Sequence, residues 1–412
     1  MTNGLEVRRT FRIPFSALGR KFFPLIPAGY TLLTIKYTVM HSIRYLPLFM
    51  ICWMACNTDN TSSITGRAAM KERLTRLDDL HELRAAHSAT LLPNGKVLIV
   101  AGFRKGPDTY SQLYSRTAEL YDPATRKFSY TGSIQIPRCG QTATLLPGGD
   151  VLITGGNNDT PRLASAELYN SSTGTWTRLP DMLSGREGHR AILLINGKVL
   201  IIGGSRNPDL YAELYNPTTH SFEKAGSSPL NLSGSCAVQL RDGRVFVMGG
   251  AVDRQPVQYS MIYDPAANRF TRAADLNIVK YKFGAALLPD GRVIVIGGSN
   301  NRDWMGKYNT TEIYDPQKNV FQKGPGLQFQ RFKLNNAVVT LPNGSILVAG
   351  GDSHIETLAP GDSVFRTSAV MDQSYYFSTA TLLPTGIVLL AGGYGNSAQC
   401  VGKAWLYNPG AR

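Results

Sequence analysis

Three sets of side chains in this sequence have types that could do chemistry. The first is imidazole and thiol. Beyond residue 56 the histidines are His81, His87, His189, His220 and His354, and the cysteines are Cys139, Cys236 and Cys400. A metal needs three or four convergent N, O or S ligands, and nothing in these spacings brings such a set together. No Ser-His-Asp or Cys-His arrangement is legible either. The second set is carboxylate: Glu119, Glu167, Glu213, Glu312 and Glu356 recur at one register. Paired carboxylates could do acid/base work, but one per repeat at fixed register points to a structural partner, a basic side chain of a neighbouring strand or blade. The third set is Arg104, Arg162, Arg206, Arg254 and Arg302, at similar depth in successive loops, with Trp304, Tyr110, Tyr211 and Tyr259 interleaved. Guanidinium forks match carboxylate and phosphate, and aromatic faces suit sugar rings or cations. A second basic series, Arg84, Arg138, Arg186, Lys280 and Lys333, is expected to surround the same mouth.

What positions these residues is a repeat. Two apolar residues, a turn ending in Gly, a β-branched run and a closing Gly recur at Leu91–Gly102, Leu145–Gly156, Leu193–Gly204, Gln239–Gly250, Leu287–Gly298, Thr340–Gly351 and Leu382–Gly393. The closing glycines are 54, 48, 46, 48, 53 and 42 residues apart. Turn pairs such as Asn94-Gly95 and Asp242-Gly243 tolerate the positive φ of a tight hairpin. The runs after them, such as Val97–Val100 and Val293–Ile296, do not alternate, so both faces are buried. A third strand follows, ending in Tyr-Asp/Asn-Pro in copies such as Ala118–Pro123 and Thr311–Pro316, where the acid or amide closes the turn. Seven residues after each Tyr an aromatic opens a fourth strand: Phe128, Trp176, Phe222, Phe270 and Phe321. The sixth copy, Ile355–Pro360 then Phe365, is degenerate. Four strands in about 48 residues make a β-propeller blade.

The same spacing predicts ring closure. Trp176 precedes His189 by 13 residues and Leu74 precedes His87 by 13, while the last copy ends at Tyr407 with no fourth strand after it. The N-terminal strand near Leu74 therefore completes the final blade. The expected fold is all-β: a seven-bladed propeller over residues 72–412, four antiparallel strands per blade. Cys139, Cys236 and Cys400 fall in blades 2, 4 and 7, too far apart for a disulfide.

The 412 residues carry 43 Lys+Arg against 29 Asp+Glu, and 43% are hydrophobic, which excludes disorder. Residues 1–56 hold seven basic side chains and one acid, so +6 of the net +14 lies there. They read as a targeting segment with a start at Met40: a short basic stretch, an apolar run Leu46–Ala55, then Cys56 and the polar tether 57–71. Ten apolar residues are too few to span a bilayer but suit a secretory signal core. A small residue before Cys56 resembles a bacterial lipoprotein signal, which implies lipidation at Cys56 and an extracytoplasmic protein anchored at the periplasm or cell surface by lipid only.

The double glycines, the Tyr-Asp/Asn-Pro and the following aromatic together resemble kelch repeats. The resemblance implies a structural role for the glycines, none of which opens a helix as a phosphate cradle requires. Galactose oxidase shares seven kelch blades, and its copper is held by two Tyr and two His, including a Tyr-His dipeptide. Here no His follows a Tyr, and His87 and His189 share one inner-strand register with Gln141, Ser235, Phe283, Asn336 and Ser378. The expectation is a monomeric binding module without metal or cofactor, taking a glycan (an acidic one) or a protein partner at the loop face through Arg104, Arg162, Arg206, Arg254, Arg302 and Trp304. The alternative is a sugar-acting enzyme, an isomerase or epimerase, for which kelch-type N-acetylneuraminate epimerase is a precedent, or a copper oxidase lacking the usual ligands. Nucleic acid is disfavoured because the basic residues are dispersed over the blades with no recognised module.

Overall fold

The computed structural model describes residues 73–106, 111–160, 162–300 and 305–410. The targeting segment, Cys56 and the tether lie outside the described residues, as do Tyr110, Arg302 and Trp304. Among the described residues no helix is long and apolar enough to cross a membrane.

Seven four-stranded antiparallel sheets form the blades of the propeller. Blade 1 runs outward through Ser88–Leu91, Val97–Val100, Ala118–Asp122 and Lys127–Thr131. Blades 2 to 6 repeat that meander, with innermost strands at Thr142–Leu145, Arg190–Leu193, Cys236–Gln239, Gly284–Leu287 and Val338–Thr340. Blade 7 takes Thr379–Leu382, Val388–Ala391 and Ala404–Tyr407 from the C-terminal end and Leu74–Arg76 from the N-terminal end. The seam pairs Leu74 with Tyr407 and Arg76 with Trp405, which is the predicted closure.

The second strands are buried at every position from blade to blade. Their non-alternating Val, Leu and Ile fill the spaces between neighbouring sheets rather than one sheet face. One cluster, for example, joins Val97 and Ile99 of blade 1 to Leu389 and Leu406 of blade 7. Each such side chain contributes ~1.5–3 kcal/mol by leaving water.

Two sequence signatures acquire physical causes. The seven-residue spacing from Tyr to aromatic places the two directly opposite on adjacent strands, as in Tyr121↔Phe128 and Tyr169↔Trp176. Their ring centroids are 5.1 and 5.0 Å apart, a contact worth about 1 kcal/mol beyond burial. The Asp or Asn after the Tyr closes the turn, with Asp122 Oδ1 accepting from the Ala124 amide at 2.9 Å. In the degenerate sixth blade the register shifts between Ile355 and Glu356.

The double glycines let blades touch by backbone. Gly156 has φ 92°, and its amide donates to the Arg186 carbonyl of the next blade at 2.9 Å. A Cβ on its neighbour Gly155 would stand 2.7 Å from His189 Cε1. Beside His189 no side chain fits at this position, whereas blade 1 holds Ala101 there at the same φ of 60°.

Candidate functional site

The second basic series, that of Arg84, is not at a mouth. Arg84, Arg138 and Arg186 are fully buried and pair with the third-strand glutamate of their own blade: Arg84–Glu119 at 2.6 Å, Arg138–Glu167 at 2.8 Å and Arg186–Glu213 at 2.6 Å. Lys280 lies 2.9 Å from Glu312, and Arg331 pairs with Glu356 at 2.7 Å. These glutamates are structural partners, as their register suggested. Each carboxylate also accepts amides of the loop that reaches its blade, such as Gln135 N to Glu167 at 2.7 Å and Leu183 N to Glu213 at 2.8 Å. The arginines bridge to the glycine turns, with Arg138 Nη1 donating to the Gly155 carbonyl at 3.0 Å. Burial lowers Arg138 to about 10 despite the opposing pull of Glu167, and it lowers Arg186, Lys280 and Arg331 as well. The series is a set of internal braces and lends no charge to a ligand.

One member differs from expectation. The repeat spacing aligns Lys333 with Arg84, but Arg331 makes the brace in blade 6. The approach to that inner strand is two residues longer, and Lys333 is left on the channel side.

A cavity of about 1760 Å³ occupies the channel mouth, walled by inner strands and the loops between second and third strands. Arg162, Arg206 and Arg254 line it, as does Tyr211. Arg104 is exposed and outside the lining. It sits mid-strand in the rim hairpin Phe103–Lys105 with Gln112–Tyr114, so alternation turns Phe103 and Lys105 to the cavity instead. Tyr259 lies away from it, stacked under the Arg272 guanidinium at 3.6 Å.

Four further cations line the cavity: Lys105, Arg190, Lys282 and Lys333. Arg190 begins the inner strand of blade 3, its Nε donating to the Ser235 carbonyl at 2.5 Å. Arg162 is held by a 2.9 Å bond from Nη1 to the Ser205 carbonyl. Lys333 donates to the Tyr394 hydroxyl, and its ammonium lies 4.6 to 6.0 Å from the ring centres of Phe332, Tyr394, Phe377 and Tyr376. The wall contributed by blades 2 to 4 is thus rich in arginine, while blades 6, 7 and 1 contribute aromatic rings and lysine. Among the described residues, seven basic side chains face two acidic ones, Glu187 and Asp253.

The other reactive groups are quiescent. His87 and His189 are buried, and desolvation followed by the nearby charge of Arg84 or Arg186 pushes each down to about 3. Their Nε2 atoms contact Thr379 Oγ1 at 3.1 Å and Thr142 Oγ1 at 3.0 Å. Neutral imidazoles so placed do not exchange protons near neutrality. Burial raises the thiols of Cys139 and Cys400 to about 12 and 11, and Cys236 is raised likewise. All three cysteines are unbridged. Among the described residues no three His, Cys, Asp or Glu gather as a metal would require.

A model of the Kelch motif matches residues 138–183, the stretch holding Arg138, Gly155-Gly156, Glu167, Tyr169 and Trp176 of blade 2. No curated protein matches the chain. With seven blades built on the same plan, the chain is a seven-bladed β-propeller that carries the Kelch motif.

Proposed function

We propose that the propeller is a binding module that takes an acidic glycan at its channel mouth. The observation carrying this reading is the charge of the cavity wall, seven basic side chains to two acidic among the described residues, with Tyr211, Tyr281, Phe377 and Tyr394 among them. Guanidinium and ammonium groups hold carboxylate or sulfate, and flat rings hold the carbon faces of sugars. Arg162 and Arg254 support the reading, because both adopt positive φ, 58° and 65°, where Gly or Asn is the unstrained choice. We place the protein outside the cytoplasm, anchored through a lipid on Cys56 and acting as a monomer.

The test is thermal unfolding of the purified protein with neutral sugars, acidic sugars, polyanions and divalent metals. A ligand at 100 times its dissociation constant adds ~2.7 kcal/mol, so acidic sugars are expected to raise Tm while their neutral counterparts do not. The rise should fade in Arg206→Ala/Arg254→Ala and in high salt, which screens charge over a few ångströms. A shift with divalent metal alone, or none with any anion, sinks the reading and leaves a protein partner.

A further inference from the structure

Two residues beyond each buried brace, and beyond Leu232 and Tyr375 in the two blades that lack one, stands a residue whose backbone turns left-handed beside the channel. In blade order these are Ala86, Gly140, Gly188, Gly234, Lys282, Lys333 and Phe377, with φ between 50° and 65°. All seven line the cavity. Neighbours join by backbone: Gly140 N to Ala86 O at 2.9 Å, Gly234 N to Gly188 O at 2.7 Å, Lys333 N to Lys282 O at 2.7 Å and Ala86 N to Phe377 O at 3.1 Å. The result is a collar around the channel made of one residue per blade.

Its side chains are distributed unevenly. Blades 2, 3 and 4 put glycine at the position, the residue such φ values favour. A Cβ at Gly140 would meet nothing within 4 Å and one at Gly234 only the Tyr281 ring edge at 4.0 Å, whereas one at Gly188 would stand 2.8 Å from Ser233 Oγ. Open space therefore lies beside Gly140 and Gly234, in the cavity that Arg162, Arg190, Arg206 and Arg254 also line. Blades 5 and 6 instead hold Lys282 and Lys333 in a conformation that strains any residue bearing a Cβ. Their ammonium groups are steadied by tyrosine hydroxyls of the cavity wall, Lys282 by Tyr281 at 3.3 Å and Lys333 by Tyr394.

We propose that the glycine arc is the seat of the ligand and that the ligand carries two anionic groups. One meets the arginines that line the same cavity, and the other meets the collar lysines. The class is an acidic oligosaccharide with charges on separate residues. This inference rests on the acidic-glycan reading and adds a second pole to it.

Calorimetric titration with galacturonate and its dimer and trimer tests it. Wild-type protein should bind the dimer or trimer at least tenfold more tightly than the monomer. Lys282→Gly and Lys333→Gly install the residue already found at three equivalent positions, so they should fold, and they should erase that gain, so that dimer, trimer and monomer bind within about twofold of one another. Gly140→Ala, whose conformation Ala86 already adopts, should weaken every member of the series. Lys282→Met and Lys333→Met repeat the charge test without altering backbone freedom. If dimer and monomer bind alike, or the lysine variants keep the gain, the second pole is wrong while the acidic-glycan reading stands. If wild-type protein binds none of the series, both fall.

Discussion

Two rings of cations occupy the same end of this propeller, and their surroundings give them opposite roles. The outer ring, Arg84, Arg138, Arg186, Lys280 and Arg331, is buried, and each member is matched by a glutamate. The inner ring, among them Arg162, Arg206 and Arg254, faces an open cavity with two acids between seven bases. Residue type does not separate the rings; a carboxylate on the third strand of the same blade does. Blades 4 and 7 sharpen the point. There the brace positions hold Leu232 with Met261 in one apolar cluster, and Tyr375 against Trp405 with centroids 4.9 Å apart. The fold accepts an apolar pair where it usually places an ionic one, so the brace is a matter of fit and not of charge.

Breaking the outer ring should have the largest effect. Arg186→Ala strands Glu213 in the interior, and chemical denaturation should show a loss of about 3–5 kcal/mol. The double variant Arg186→Leu/Glu213→Met, copied from blade 4, should be less destabilised than either single change. Equal or greater loss in the double would mean that the charge itself is needed. Next comes pH. His87 and His189 stay neutral in the folded state down to about 3, whereas unfolded histidine takes a proton below ~6.5. The unfolded state binds more protons in that window, so stability falls as pH drops through it. Between about pH 7 and about pH 5.5 the loss should be roughly 1 kcal/mol per histidine. His87→Gln or His189→Gln, which borrows the residue that blade 2 holds at Gln141, should remove its share.

The inner side of the comparison predicts smaller changes in stability. Lys282→Gly relieves a left-handed lysine and should stabilise by up to about 1 kcal/mol, a sign opposite to that of any brace variant. Arg206→Ala and Arg254→Ala, on exposed loop positions, should leave the denaturation midpoint within about 0.5 kcal/mol of wild type. A large loss from either would move that residue into the structural ring.

The propeller was legible because its signals are local and repeat: turn glycines, buried runs and the Tyr-to-aromatic spacing each recur at fixed intervals. The glutamate braces were legible for the same reason. The assignment of Lys333 to that series fails because counting back from the inner strand assumes a constant approach, and Leu334–Asn336 lengthens it in blade 6. Lys105 was hidden behind Arg104 because only a formed rim hairpin decides which of two adjacent bases turns inward. The collar had no signature at all. Ala, Gly, Gly, Gly, Lys, Lys and Phe share no chemistry, only a backbone angle that a sequence does not display.

The seam of blade 7 also has a meaning in time. Leu74–Arg76 leaves the ribosome long before its partner Ala404–Tyr407; the Arg76 guanidinium bonds to the Ala404 carbonyl across 328 positions of sequence. Until Ala404–Tyr407 has been made, the blades before it are an open arc with the apolar flank of Val97–Val100 uncovered. Contacts of such sequence separation form slowly, and exposed strands aggregate meanwhile. Once made, the seam gives neither end a free edge from which to fray, so the latest contact to form is also the one that holds the ring shut.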